Sequence, residues 1–380
     1  MEAAGERGED EDEEEEEGEE EWLLRSLSLY EALHSFELHA PTRVIEWALG
    51  KRVCVAGYGC CGRNEILQLL PPATLQAKES QGLCPERDFK VECGGFSDRP
   101  VYNLKHVPGT SLLVTSGPPD SSVQLWRVAA EDSDVIKSIS TISTENSAEE
   151  SWAKIATIST RAPWVLHGSR LCSTRITELE SQKEVYVAAS GSSEELSSLA
   201  FLDGSTAVLC CAVGQLCVAD VRQRGPVQVV PIPSAPRGQR WCAAVGCSEL
   251  SSQPIACVSS GGSVVVVDVR KTSQCSASAQ CTVPSPGSDA ELLSVSWAPA
   301  LSGCLAVSGF DGSVRVYDTR SWAAAGCHAQ PLFVHEGHAW GGTRPRVTAH
   351  AWHPHRPRTL VSAATDGSLH IWDWVQPRGS

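Results

Sequence analysis

Short apolar runs alternate along this chain with clusters of Gly, Pro, Ser and Asp, and within most runs the apolar positions recur every second residue. In AVGQLCVADVR (212–222), SSGGSVVVVDVR (259–270), GFDGSVRVYDTR (309–320) and TDGSLHIWDW (365–374), a Gly-containing turn leads into alternating positions that reach an Asp. Those residues, Asp220, Asp268, Asp318 and Asp373, stand 48, 50 and 55 residues apart. Side chains of a strand point alternately to opposite faces, so the pattern predicts half-buried strands behind tight turns. A second column has the same spacing: VIEWALG (44–50), SVSWAPA (294–300) and AHAWHPH (349–355), with SLAFLDG (198–204), LKHVPG (104–109) and ISTRAPW (158–164) as looser copies. QLWRV (124–128), RITEL (175–179) and NEILQL (64–69) extend the Asp column more weakly.

The two columns divide residues 36–377 into seven units of about 49 residues each. One four-stranded antiparallel sheet cannot bury both of its faces, whereas seven packed radially around an axis can. The expected fold is all-β: a seven-bladed β-propeller over 34–377, with 378–380 a short C-terminal end. The pattern LHIWDWV (369–375) leaves the last blade one strand short, and HSFEL (34–38) is expected to supply the closing strand. Upstream, apolar positions 23, 24, 27, 29 and 33 predict a short amphipathic helix over 22–33. Residues 131–134, 143–151 and 272–290 read as loops, and CPERDFKVECGGFSDRP (84–100) as an insert between blades one and two.

Charge changes this picture at one end. The formal net charge is −15, but residues 1–21 hold 14 of the 46 acidic residues and the single base Arg7. The segment predicts a disordered acidic tail, which either solubilises the chain or competes for a basic groove on a partner. The remainder is nearly neutral, which argues against a nucleic-acid-binding or polybasic membrane-binding body. No long charge-free apolar run and no basic-then-apolar leader occur, so a soluble intracellular protein is expected. The sixteen cysteines have no CxxC spacing, and many sit inside apolar strands, as small buried hydrophobes do.

Enzyme-like motifs are few. GYGCCG (57–62) comes after a strand pattern as a dinucleotide-binding turn would, yet NEILQLL meets Pro71–Pro72 before a helix could form. It reads as a hairpin turn. His350, His353 and His355 have a metal-like spacing, but the alignment of AWHPH with SWAPA places His353 at a surface turn. There is no GxSxG, HExxH or phosphate-binding loop. Neither an enzyme nor a cofactor or metal protein is expected.

The units ending VYD and IWD, with EGH at 336–338, resemble WD40 repeats. The resemblance implies a structural hydrogen-bond network of His338, Ser362, Asp366 and Trp372 in the last blade. In the sixth it implies Ser308 and Asp311, with Tyr317 in the Trp position. More narrowly, GLCPERDFKVECGGFSDR (82–99), LKHVPGTSLLVTSG (104–117), AEDSDVIK (130–137), SEELSSL (193–199) and RPRTLVSAATDGSLHIWDWV (356–375) resemble one vertebrate family of WD-repeat proteins, over residues 22–375. That implies a non-catalytic cytoplasmic factor that helps assemble the RNA endonuclease heterodimer of the Integrator complex by holding its two metallo-β-lactamase-type subunits. Association with spindle poles and microtubules during division is implied too, with protein partners and neither membrane nor direct nucleic-acid contact. Candidate interface residues are Arg344, Arg346, Arg356 and Arg358 near blade seven, with Asp98 and Arg99 in the insert. Arg222, Arg270 and Arg320, each two residues after an Asp, resemble the box by which WD40 receptors dock on cullin-RING ligase adaptors. A ubiquitin-ligase substrate receptor is therefore the alternative function.

Overall fold

The structure is a computed structural model that describes residues 24–375 except 49, 60–62, 73–87, 129–133, 144–150, 224–225, 231, 233–237, 247–252, 269–274, 284–289, 324–325 and 340–344. The predicted tail 1–21 and the end 378–380 lie outside the described residues. Seven four-stranded antiparallel sheets succeed one another along the chain. Their innermost strands are Thr42–Trp47, Asn103–His106, Lys154–Ser159, Leu196–Phe201, Trp241–Val245, Ser294–Trp297 and Val347–Trp352. Each touches the next, and the last touches the first, so the ring is closed. It is a seven-bladed β-propeller, as the two sequence columns require. The side on which each innermost strand begins is called here the leading face, and the other the trailing face.

The aspartate column marks the ends of third strands: Asp220 in Leu216–Asp220, Asp268 in Ser263–Asp268, Asp318 in Val314–Asp318 and Asp373 in Ser368–Trp374. Apolar layers between blades hold the ring. Between blades six and seven, Val316 and Phe333 meet Trp352, Trp372 and Trp374, all of them buried. Tryptophans at the ends of innermost strands add directional ties. Trp297 Nε1 donates to Ala244 O at 3.1 Å and Trp352 Nε1 to Ser296 O at 3.2 Å, each reaching the blade before its own.

The ring is latched by Tyr30–Glu37, the outermost strand of blade seven, which pairs antiparallel with Ser368–Trp374. This closing strand begins four residues earlier than the expected start at 34. The helix predicted over 22–33 shrinks to 24–29 among the described residues. Nor is it amphipathic in the expected sense, because Leu24 and Leu27 are exposed and Ser26 is buried. Backbone bonding to the free edge of Ser368–Trp374 decides the conformation of 30–33, and local spacing does not.

Two other readings are corrected in the same way. The insert 84–100 contains Lys90–Ser97, the outermost strand of blade one, and the loop 272–290 contains Cys275–Gln280, the outermost strand of blade five. GYGCCG lies between the strands Val53–Gly57 and Asn64–Leu70, with 60–62 outside the described residues. Gly57 is required sterically, since a Cβ there would stand 2.0 Å from Pro41 O. The segment leads into the strand Asn64–Leu70, without the helix a dinucleotide turn needs.

Candidate functional site

In the last blade the predicted network forms, with one unpredicted member. Trp372 Nε1 donates to Ser362 Oγ at 3.1 Å, which lies 2.8 Å from His338 Nε2. His338 Nδ1 lies 2.6 Å from Ser368 Oγ, which donates to Asp366 Oδ1 at 2.7 Å. Indole can only donate and carboxylate can only accept, so the chain runs one way. Ser362 donates to Nε2, and a neutral His338 donates from Nδ1. Ser368, not His338, reaches Asp366. The turn Asp-x-Ser recurs as Asp120/Ser122, Asp203/Ser205 and Asp311/Ser313, each Asp accepting from the hydroxyl of the Ser two residues on. Blade two repeats the other half, with Trp126 Nε1 donating to Thr115 Oγ1 at 2.8 Å.

Blade six separates its two predicted members. Ser308 Oγ is 2.7 Å from His350 Nδ1, while His350 Nε2 is 2.7 Å from Ser296 Oγ, so a blade-seven imidazole staples two strands of blade six. Asp311 instead holds its turn and Arg315. His353 opens the turn after Trp352, as aligned, but its side chain is not exposed there. It is buried, its Nδ1 accepts from the backbone N–H of His355 and Arg356, and its ring meets Trp47 edge-on. The His350–His353–His355 spacing therefore serves a strand and its turn.

Among the described residues, His335, His338 and His370 bring ring nitrogens within 4.8 Å of one another. The arrangement does not suit a metal. His338 and His370 stack in parallel with centroids 3.8 Å apart, and an ion in the plane of one ring would lie far outside the ~2.0–2.1 Å reach of the other. Both nitrogens of His335 are also engaged, Nδ1 by Tyr30 Oη at 2.8 Å and Nε2 by His370 Nδ1 at 3.1 Å. Burial pushes all three imidazoles below their ordinary pKa, His370 to about 4.

The predicted surface arginines do not form one patch. Arg346 begins blade seven on the leading face, Arg356 and Arg358 lie in the trailing-face turn after Trp352, and Arg344 lies outside the described residues. Arg358 pairs with Glu31 at 3.1 Å, tying the latch strand to its blade. Arg99 is held by Asp120 and Ser122 at 2.7 Å, and Asp98 accepts from Gln124 at 2.9 Å, which joins blades one and two. Arg222 and Arg320 each fold back on the Asp two residues earlier, Asp220 at 2.8 Å and Asp318 at 2.6 Å. Both guanidinium groups stay largely exposed at the trailing rim; Arg270 lies outside the described residues.

The candidate site that sequence reading missed is the leading-face mouth of the channel. Residues at the starts of successive innermost strands gather there. Arg43 lies 5.0 Å above the Tyr102 ring and donates to Glu291 O at 3.2 Å. Tyr102 meets Trp152 edge-on at 4.9 Å, and Lys154 lies 4.3 Å above the Trp152 ring. Arg240 pairs with Glu195 at 2.7 Å. Loss of water, reinforced by Arg240 and Arg43, drives the Lys154 pKa down to about 8. Alternating cations, carboxylates and flat aromatic faces suit an extended segment of another protein. The only signal available in sequence was position, each residue lying at or just before a strand start.

A family model, the WD domain, G-beta repeat, matches residues 329–373. The Integrator complex assembly factor WDR73 of Homo sapiens is 49% identical over 369 residues, 94% of this chain and 97% of its own. Its namesake in Mus musculus is 47% identical over 368 residues, 95% of this chain and 99% of its own. That of Danio rerio is 41% identical over 366 residues, 94% of this chain and 96% of its own. A seven-bladed ring with repeat-type braces and this full-length likeness place the chain in the WDR73 family of WD40-repeat proteins.

Proposed function

We propose that this chain is a non-catalytic scaffold in assembly of the Integrator complex, and that it does so by holding the complex's RNA endonuclease heterodimer. The observation that carries the reading is the end-to-end likeness to proteins named as Integrator assembly factors. The fold supports it physically. A closed ring fixes loops from seven blades in one rigid frame, so a partner meets them with little ordering cost. The channel mouth, where Arg43, Lys154 and Arg240 stand among Tyr102, Trp152, Glu195 and Glu291, is the surface we assign to the partner.

Affinity purification of the full chain followed by mass spectrometry tests the reading. Both endonuclease subunits are expected, and Lys154→Glu with Arg240→Glu should lower their recovery at least about 10-fold, as loss of a desolvated charge pair does. Recovery of a cullin adaptor alone would overturn it in favour of a ligase receptor using Arg222 and Arg320. The proposal extends to the cytoplasm as the site of assembly and to spindle poles in dividing cells. Imaging the tagged chain through mitosis checks both, and an exclusively nuclear signal contradicts them.

A further inference from the structure

On the trailing face, at the junction of blades seven and one, a cavity of about 270 Å³ is lined by Lys51, Lys90, Arg356, His353 and Asp88 over an apolar floor of Leu70 and Ile371. Lys51 comes from the turn between the first two strands of blade one, Lys90 opens its outermost strand, and Arg356 lies in the corresponding turn of blade seven. Among the described residues, three long cations thus border one opening whose lining holds a single carboxylate, Asp88. Lys51 and Lys90 make no ion pair among the described residues. The site's positive field registers on its wall, because Arg356, His355 and Lys51 all add to the burial that lowers the His353 pKa to about 4.

The chain supplies a ligand of opposite sign nearby. Tyr30 pairs with Trp374 and Glu37 with Ser368, so the latch strand starts on the trailing face and runs towards the leading one. Residues 24–29 therefore emerge on the trailing face, on the blade that forms one wall of the cavity. Two residues separate them from the run 1–21, which holds 14 acidic residues and one base. At up to about 3.3 Å per residue, ten extended residues span about 33 Å, enough to cross from one blade to the next. The rest of the chain is nearly neutral, so the body as a whole exerts little net pull on the run and the pull is local.

We propose that the acidic run 1–21 docks in cis in the basic cavity bounded by Lys51, Lys90 and Arg356, acting as a charge-matched plug on the trailing face. Its occupant is thus a segment of this same chain, rich in carboxylates. Tethering gives the run an effective concentration in the millimolar range, so contacts that are weak between molecules suffice within one. The plug loosens with salt and yields to any partner presenting a denser acidic surface.

Carbodiimide cross-linking of the full chain joins carboxylates to the lysines they touch and tests this directly. Lys51 and Lys90 should couple to residues 2–21 in preference to Lys105, Lys137 or Lys183, at a yield independent of protein concentration. The yield should fall several-fold in 1 M salt. In a full chain with the acids of 9–21 changed to amides, a labelled peptide of sequence 1–21 should bind at least 10-fold tighter than to the natural chain, where the plug competes. Lys51→Glu with Lys90→Glu should abolish that binding; both positions are exposed, and an unchanged melting temperature shows that folding is kept. Cross-links spread evenly over all lysines, or found only between molecules, would overturn the proposal. So would equal binding of the peptide to natural and amide-tailed chains.

Discussion

At the scale of single residues, the ring rests on polar groups that have no water to fall back on. Ser362 is fully buried and serves both Trp372 Nε1 and His338 Nε2. Ser362→Ala would orphan a donor and an acceptor together, and buried unsatisfied groups cost about 1–3 kcal/mol each. A loss of roughly 2–4 kcal/mol is expected in urea denaturation. Most of the network was legible because the repeat resemblance carries it by position: His338, Ser362, Asp366 and Trp372 stand where a WD40 blade has its His, Ser, Asp and Trp. Ser368 alone was not, since it looks like any hairpin serine until His338 is seen to reach it. The same burial makes the protein acid-sensitive. His167, His350, His353 and His370 are pushed to about 4, and His335 and His338 well below their ordinary value. A folded state that refuses protons is stable above the unfolded pKa of about 6.5 and loses stability as pH falls from there towards 4. Each such histidine contributes a slope of about 1.4 kcal/mol per pH unit. His350→Gln should lower stability at pH 7 yet flatten the slope between pH 6 and 5 by about one histidine's share; an unchanged slope would show that His350 takes up its proton in the fold.

At the scale of elements, legibility tracked the number of neighbours. Second and third strands such as Cys304–Ser308 and Val314–Asp318 are paired on both edges and packed on both sides, and their alternation survives in sequence. Outermost strands have one partner, so little constrains their composition. CSASAQ (275–280) carries small polar residues that also suit a loop. The latch strand shows the ambiguity most clearly. Its buried Tyr30 and Ala32 alternate with Glu31, but the apolar positions upstream also satisfy a helical spacing. Tyr30 is held by tertiary contact: it meets Phe333 edge-on at 5.3 Å and bonds His335. Tyr30→Ala is therefore expected to destabilise by about 3–5 kcal/mol, the range for deleting a buried aromatic side chain. Hydrogen exchange should show 30–37 and 368–374 opening first. Uniform loss of protection over all seven blades would instead mean that the latch and the ring open as one unit.

At the scale of the whole molecule, the seven-fold count was legible because two independent strand columns repeat with one period. The channel mouth was invisible because its members, such as Arg43, Lys154 and Arg240, lie far apart in sequence and only ring closure brings them together. Closure itself rests on backbone pairing between the two ends of the described chain, and geometry offers a strict test. Val375 N donates to Leu29 O at 2.9 Å, so the end of the last strand lies beside the start of the latch. A permuted chain that runs from 39 to 375, turns through a short Gly-rich loop and continues with 29–38 would form the same pairing as an ordinary hairpin. Closing a loop of a few residues costs far less entropy than closing the whole ring, since the penalty grows with the logarithm of loop length. The permutant should match the natural chain or exceed it, by up to about 3–4 kcal/mol, in urea denaturation. Removing 24–37 outright should leave the edge of Ser368–Trp374 unpaired and expose Trp372 and Trp374 to quenchers of tryptophan fluorescence. If the permutant instead behaves like the deletion, the latch is held by more than its strand pairing, and the covalent approach through residues 38–42 into blade one must itself be part of the closure.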